Sequence, residues 1–310
     1  MTMKPGFKKF LWMAIGAVIQ LGITLMIFHF HNEQNPAEQL SRQAKRLALV
    51  GQMRSTLASS AEEEKSAVMA TTDQDSRTFA EQSRSATSAL ERERQELREL
   101  LQTGGPKNET DLLEQFSRAF IDLQRVDKEL LELAVLNTNL KAASLTFGPA
   151  AVALKEMDAA LLRVVTTNAD NTTTEARQSI LLANDARVRA LRVQTLLPPH
   201  IAEENPKNMD ELEALMTIED RAVRKDLESL AVLLKAGESP DLKTAASCYG
   251  RFNGFKVQIL KLSRANTNVR SLSISLNQKR KVLLTCQETL AAMEQAIEQE
   301  PIAAIPVNQR

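Results

Sequence analysis

Two polar triplets are the residues best suited by type and spacing to bind something. Asn137-Thr138-Asn139 and Asn266-Thr267-Asn268 lie 129 residues apart, each inside an apolar stretch of helical period. Asn266 and Arg270 are four apart, which places both side chains on one helix face, and Asn137 and Lys141 match them. Amides, hydroxyls and a cation at one level could hold a carboxylate, because an arginine donates paired hydrogen bonds to it. The candidate ligand-binding set is therefore Asn137, Thr138, Asn139, Lys141, Asn266, Thr267, Asn268 and Arg270. The same residues could instead form a buried polar layer that fixes helix register, as a core asparagine does in coiled coils. Arg187, Arg189 and Arg192 could converge on a second anion, or could line a solvated helix face.

Other chemistry is sparse. The three histidines are His29, His31 and His200, and no H-x-x-x-H or C-x-x-C spacing occurs, so no metal centre is expected. There is no phosphate-cradling glycine loop and no nucleophile motif. The acidic residues fall in surface runs such as 62–64 and 91–99. Neither a catalytic residue nor a cofactor is expected, and the chain does not read as an enzyme. Lysine plus arginine number 39 and aspartate plus glutamate 39, both signs interspersed, which removes the basic footprint of a nucleic-acid binder. Cys248 and Cys286, if carried on one continuous helix, would lie ~57 Å apart and could not pair, leaving two buried thiols. Gly250 and Gly254, four apart, suit close helix approach, as at a dimer seam, or simply loosen their helix.

The elements that must position the triplets are helices. Ala, Leu, Glu, Gln, Arg and Ser dominate, with only 10 Gly, 10 Pro, 1 Trp and 1 Tyr in 310 residues. Residues 10–30, FLWMAIGAVIQLGITLMIFHF, are long and apolar enough to cross ~30 Å of hydrocarbon as a helix. Lys4, Lys8 and Lys9 precede them, so residues 1–9 should stay in the cytoplasm and the bulk of the chain should lie in the periplasm of a Gram-negative cell, anchored to the inner membrane by one pass. A cleaved signal peptide is the rival, but its apolar core would be shorter and no A-x-A-like site follows.

Beyond the anchor the apolar stripe predicts four long legs. The first rises over 36–102, with a weak or irregular turn near 59–76, and stops at Gly104-Gly105-Pro106. The second falls from about residue 110, is kinked or broken at Gly148-Pro149, and ends in the turn 168–174. The third rises from 175, is interrupted at Pro198-Pro199 and at Asn205-Pro206, and ends near 237–240. The fourth falls from 242 to about 298, leaving 301–310 as a loose tail.

The residues flanking the two triplets recur as well. Leu131, Leu133 and Ser144 return as Leu260, Leu262 and Ser273, and Lys141 becomes Arg270. This reads as an internal duplication, with repeat one about 33–168 and repeat two about 173–298. The expected fold is all-α: a transmembrane helix, then a long up-down-up-down four-helix bundle over 33–300 built from a duplicated helical hairpin. The breaks at Pro149 and Pro198 fall at similar heights in legs of ~90 Å, which fits either one kinked bundle or two stacked modules.

The runs LLANDARVRALRVQTLLPPHI (181–201) and LSRANTNVRSLSISLNQKRKVLLTC (262–286), together with the anchor and the long hairpins, resemble the extracytoplasmic four-helix sensor domains of methyl-accepting chemotaxis receptors. The resemblance covers roughly 33–300, and the aligned breaks are similar to the two-module helical variant, which binds small organic acids. It implies a sensory input domain with a small organic acid or amino-acid ligand, acting as a homodimer or through a partner signalling protein. Those receptors continue into a second membrane helix, a HAMP linker and a cytoplasmic signalling hairpin. Nothing after Phe30 reads as these, so output through a partner is expected. The alternative is a structural spacer or interaction scaffold at the cell envelope with no small-molecule ligand.

Overall fold

The computed structural model describes Gln20, residues 36–234 and residues 239–301. Every regular element among them is helical. In chain order these are α1 (Pro36–Met69), α2 (Asp73–Gln102), α3 (Lys107–Ala134), α4 (Thr138–Leu145), a π-helical turn (Thr146–Ala150), α5 (Ala151–Asn168), α6 (Thr174–Ala202), α7 (Pro206–Leu233), α8 (Pro240–Ala265), α9 (Thr267–Ile274), a second π-helical turn (Ser275–Lys279) and α10 (Arg280–Glu298). The expected membrane helix at 10–30, apart from Gln20, lies outside the described residues, as do 302–310 of the tail. No helix among the described residues is long and apolar enough to cross a membrane.

The first leg is not one rising helix. It breaks at 70–72, and α2 runs back along α1. Gln52 and Thr56 of α1 both hydrogen-bond Glu93 of α2, at 2.9 Å each, and Ser60 lies 2.8 Å from Thr87. The turn closes with a reciprocal cap: the Asp75 N–H donates to Thr72 Oγ1 (3.1 Å), and that hydroxyl donates to the Asp75 carboxylate (2.8 Å). Helical periodicity reports a buried face and is blind to direction, so a stripe continuing past 72 does not show that the chain has reversed. The second reversal falls where glycines mark it. Gly104 adopts φ 118°, a conformation that glycine reaches without a Cβ penalty.

Pro198-Pro199 do not interrupt the third leg either. α6 runs through them to Ala202. Both prolines sit in its last turns, each giving up the N–H bond that another residue would make there. The actual stop is at 203–205, where the Asn205 side chain accepts from the Lys207 N–H at 2.9 Å and Pro206 opens α7. The fourth leg, expected as one helix, is three: α8, α9 and α10, divided at Asn266 and at the second π turn. The order of elements thus recurs: a helical hairpin, then a long helix interrupted first at an asparagine and then at a π turn. The two short helices and the two π turns correspond residue for residue at the 129-residue offset.

The chain forms two compact units. Among the described residues, one contains 36–60, 85–122 and 282–301. In it Arg46, nearly enclosed, pairs with Glu109 at 2.9 Å and with Glu300, Phe116 stacks on Phe120, and α10 lies along α1 through Arg54–Glu294 and a bond from Gln43 to the Ile297 carbonyl. The other contains 61–84 and 123–281. Its larger core joins α5, α6, α7 and α8 through Leu154, Met157, Leu161, Val193, Leu197, Val223, Leu230, Tyr249 and Phe252. Within it α5 packs on α8 and α6, and α6 on α7. A smaller core gathers Ala67, Val68, Val126, Leu130, Leu131 and Ile274.

These packings are those of a helical bundle. The last helix of the first repeat, α5, packs on helices of the second, while the last helix of the second, α10, packs on α1 of the first. Sequence neighbours therefore do not supply all the bundle partners.

Candidate functional site

Both interrupted helices break at an asparagine in the left-handed region. Asn137 has φ 51°, ψ 39°, and Asn266 has φ 52°, ψ 38°. Asparagine is among the few non-glycine residues that enter this region readily. Each carbonyl then opens the next helix, accepting from Lys141 N–H and Arg270 N–H respectively, both at 3.0 Å. Neither asparagine side chain caps its own helix.

The caps come from the other repeat. The Thr138 N–H donates to Thr267 Oγ1 (3.2 Å), and the Thr267 N–H donates to Thr138 Oγ1 (3.0 Å). The Asn139 N–H donates to Asn268 Oδ1 (3.1 Å), and the Asn268 N–H to Asn139 Oδ1 (3.2 Å). The first-turn N–H groups, which have no partner inside their own helix, are thus satisfied in trans by the equivalent residues of the other repeat. The amide nitrogens complete the joint. Asn139 Nδ2 donates to Asn266 Oδ1 and to the Ile201 carbonyl, Asn268 Nδ2 to Asn137 Oδ1, Asn266 Nδ2 to the Glu203 carbonyl, and Asn137 Nδ2 to Asp73. The turn within each repeat's hairpin therefore also reaches the joint.

Six of the eight candidate residues meet in this network, with donors matched to acceptors. Of the two cations, Lys141 reaches the network only through Asp73 and Arg270 does not join it. Lys141 pairs with Asp73 at 3.0 Å and donates to the Leu136 carbonyl, while Arg270 is exposed. The hydrogen bond from Lys141 holds the Asp73 carboxyl below its usual range. Nor do the three arginines of α6 converge: Arg187 pairs with Asp158 of α5, and Arg189 and Arg192 with Glu219 of α7.

Sequence reasoning left His200 without a role, and the structure places it beside the joint. It is fully enclosed. Its Nε2 is 2.9 Å from Glu213 Oε1, and Ser263 Oγ lies 2.8 Å from both its Nδ1 and its carbonyl oxygen. Burial pushes His200 below the usual imidazole range, against the opposing pull of Glu213. The Arg264 guanidinium is the main cause holding Glu213 low. A lone histidine after two prolines carries no signal that would have found this network.

The first unit holds a groove of about 570 Å³ between α1 and α10. Gly51, Ser55, Ala58 and Ala291 keep it open, Leu57 gives it an apolar wall, and Arg54, Gln287 and Glu288 line it with polar groups. A Cβ added at Gly51 would meet nothing within 4 Å. Cys248 and Cys286 are both free and buried. Among the described residues no cluster of His, Cys, Asp and Glu is arranged to hold a metal ion. Comparison with known proteins finds no family model that matches this chain and no curated protein that matches it.

Proposed function

We propose that this chain is a membrane-anchored, periplasmic sensory bundle that binds a small organic acid or amino acid and signals through a partner protein or as a homodimer. The observation that carries the reading is the pair of interrupted helices. Each long helix is broken by a left-handed asparagine and then by a π turn, and both breaks are held by polar contacts where helices could shift by small displacements. The groove lined by Arg54, Ser55 and Glu288 supports the ligand side, since its volume suits a small molecule and it presents both charges. The joint then serves as the element that such binding biases. Residues 10–30 supply the inner-membrane anchor in this reading, with the N-terminus in the cytoplasm.

A thermal-shift panel of small carboxylates, amino acids and aromatic acids on purified residues 33–310 tests it. A ligand at a hundred times its dissociation constant should stabilise by roughly 2.7 kcal/mol. The shift should vanish in Arg54→Gln. No shift with any member, from well-folded protein, would overturn the sensor reading. One observation favours a second reading, a rigid spacer presented to an envelope partner: the joint's polar groups are already matched to one another, as a register-fixing layer requires. Under that reading the panel is blank and crosslinking captures a defined partner.

A further inference from the structure

Three ionisable side chains outside the joint converge in the second unit. Lys279 closes the second π turn, Glu64 lies on α1 and Asp127 on α3. Their exposures are 2%, 0% and 5%. Lys279 Nζ is 2.8 Å from Asp127 Oδ1 and 3.0 Å from Glu64 Oε2. Glu64 lies one helical turn from Val68 on α1 and Asp127 adjoins Val126 on α3, both members of the smaller apolar core. We propose that Lys279 and Asp127 are joined by a side-chain isopeptide bond, formed within the folded chain with Glu64 as proton relay.

The charges point this way. Two ionised carboxylates and one ammonium would leave an uncompensated negative charge in a site closed to water, an arrangement that is strongly disfavoured. The site is relieved if one carboxyl holds a proton, and burial pushes Asp127 in that direction, against the pull of Lys279. Lys279 Nζ pairs with both carboxyl groups at once, so amine and acids are already in contact. The duplication does not impose the cluster. The residue equivalent to Lys279 at the end of the first π turn is Ala150, and the residue 129 beyond Asp127 is Lys256.

The bond needs no external reagent. The Lys279 ammonium gives a proton to the Glu64 carboxylate, and the neutral amine attacks Cγ of the protonated Asp127 carboxyl. A carbon–nitrogen bond forms. Glu64 relays a proton from the nitrogen to the departing hydroxyl, the carbon–oxygen bond breaks, and one water leaves. The products are a neutral amide and a protonated Glu64, so no buried charge remains. Nothing is oxidised or reduced. Holding amine, acid and relay at contact distance in a dry site supplies the proximity that such a condensation requires.

Peptide mapping of the purified full chain by mass spectrometry, after denaturation and proteolysis, tests the bond. The peptides bearing Asp127 and Lys279 should appear as one joined species lighter by one water than their sum. Lys279→Arg should release them at full mass, and so should the near-isosteric Glu64→Gln. Lys256, 3.3 Å from Asp220, is the internal control and should remain unlinked. Separate Asp127 and Lys279 peptides at full mass in the wild type would overturn the proposal, as would a water loss mapping elsewhere. A link from Lys279 to Glu64 would overturn the assignment of Asp127, and a joined species persisting in Glu64→Gln would overturn the relay role.

Discussion

Thr138 and Thr267 cap each other's helices. Each backbone N–H donates to the other's hydroxyl oxygen, at 3.2 and 3.0 Å, and the two hydroxyls themselves lie 3.2 Å apart. Both residues are buried, so neither N–H has water as an alternative partner.

Replacing either threonine with valine preserves shape but removes the acceptor, stranding a buried N–H. Each single change should cost roughly 1–3 kcal/mol of stability. The double variant should cost less than the sum, because the contact between the two hydroxyls is lost in either single change. Urea denaturation of the two singles and the double measures this. Additive losses would show that the threonines act independently.

Asn266 holds a left-handed backbone and two side-chain contacts of the network at once, so two substitutions separate these roles. Asn266→Gly retains access to φ 52° and loses the bonds to Asn139 and Glu203. Asn266→Leu loses both and adds a strained backbone, so it should be less stable than the glycine variant by about 1–2 kcal/mol. Equal stability of the two would mean that α8 and α9 relax out of the break, which circular dichroism and size-exclusion profiles would reveal.

His200 makes the second unit acid-sensitive. Its folded pKa lies below the unfolded value, so folding favours the neutral ring. The stability this confers is complete above the unfolded pKa of about 6.5 and is lost as pH falls through the folded value. Chemical denaturation from pH 8 to pH 5 should show stability declining below about 6.5. The decline should be shallower in His200→Gln, and an unchanged slope in that variant would assign the sensitivity to other groups.

Gly51 lies mid-helix in α1 and its missing side chain leaves the groove open. Gly51→Ala should raise stability by about 0.5–1 kcal/mol, because glycine is poor in helix interiors and nothing opposes the added carbon. Gly51→Phe should remain folded, fill the groove and abolish any ligand-induced thermal shift. A shift surviving in Gly51→Phe would place the ligand elsewhere while leaving the sensory reading intact.

Much of the local structure was legible in the residues. Period-3.6 stripes identified helices, Gly104-Gly105-Pro106 and Asn205-Pro206 marked real stops, and Gly148-Pro149 fell inside a real π turn. The second π turn carries neither glycine nor proline, so nothing local announced it. The likeness of the two triplets was visible, but that they would cap each other was not, since equivalence in a repeat does not imply contact.

Alone, the sequence determined that the described chain is helical, that a polar motif recurs at a 129-residue interval, and where its strongest breakers lie. Only the tertiary structure decided which way each helix runs after 70–72, that α6 continues through Pro198-Pro199, and that α5 and α10 each pack on the other repeat's helices. It alone brought Glu64, Asp127 and Lys279 together. The physical reason is common to all of these. An amphipathic stripe states that a face is buried, whereas partner, direction and charge pairing depend on which distant face covers it.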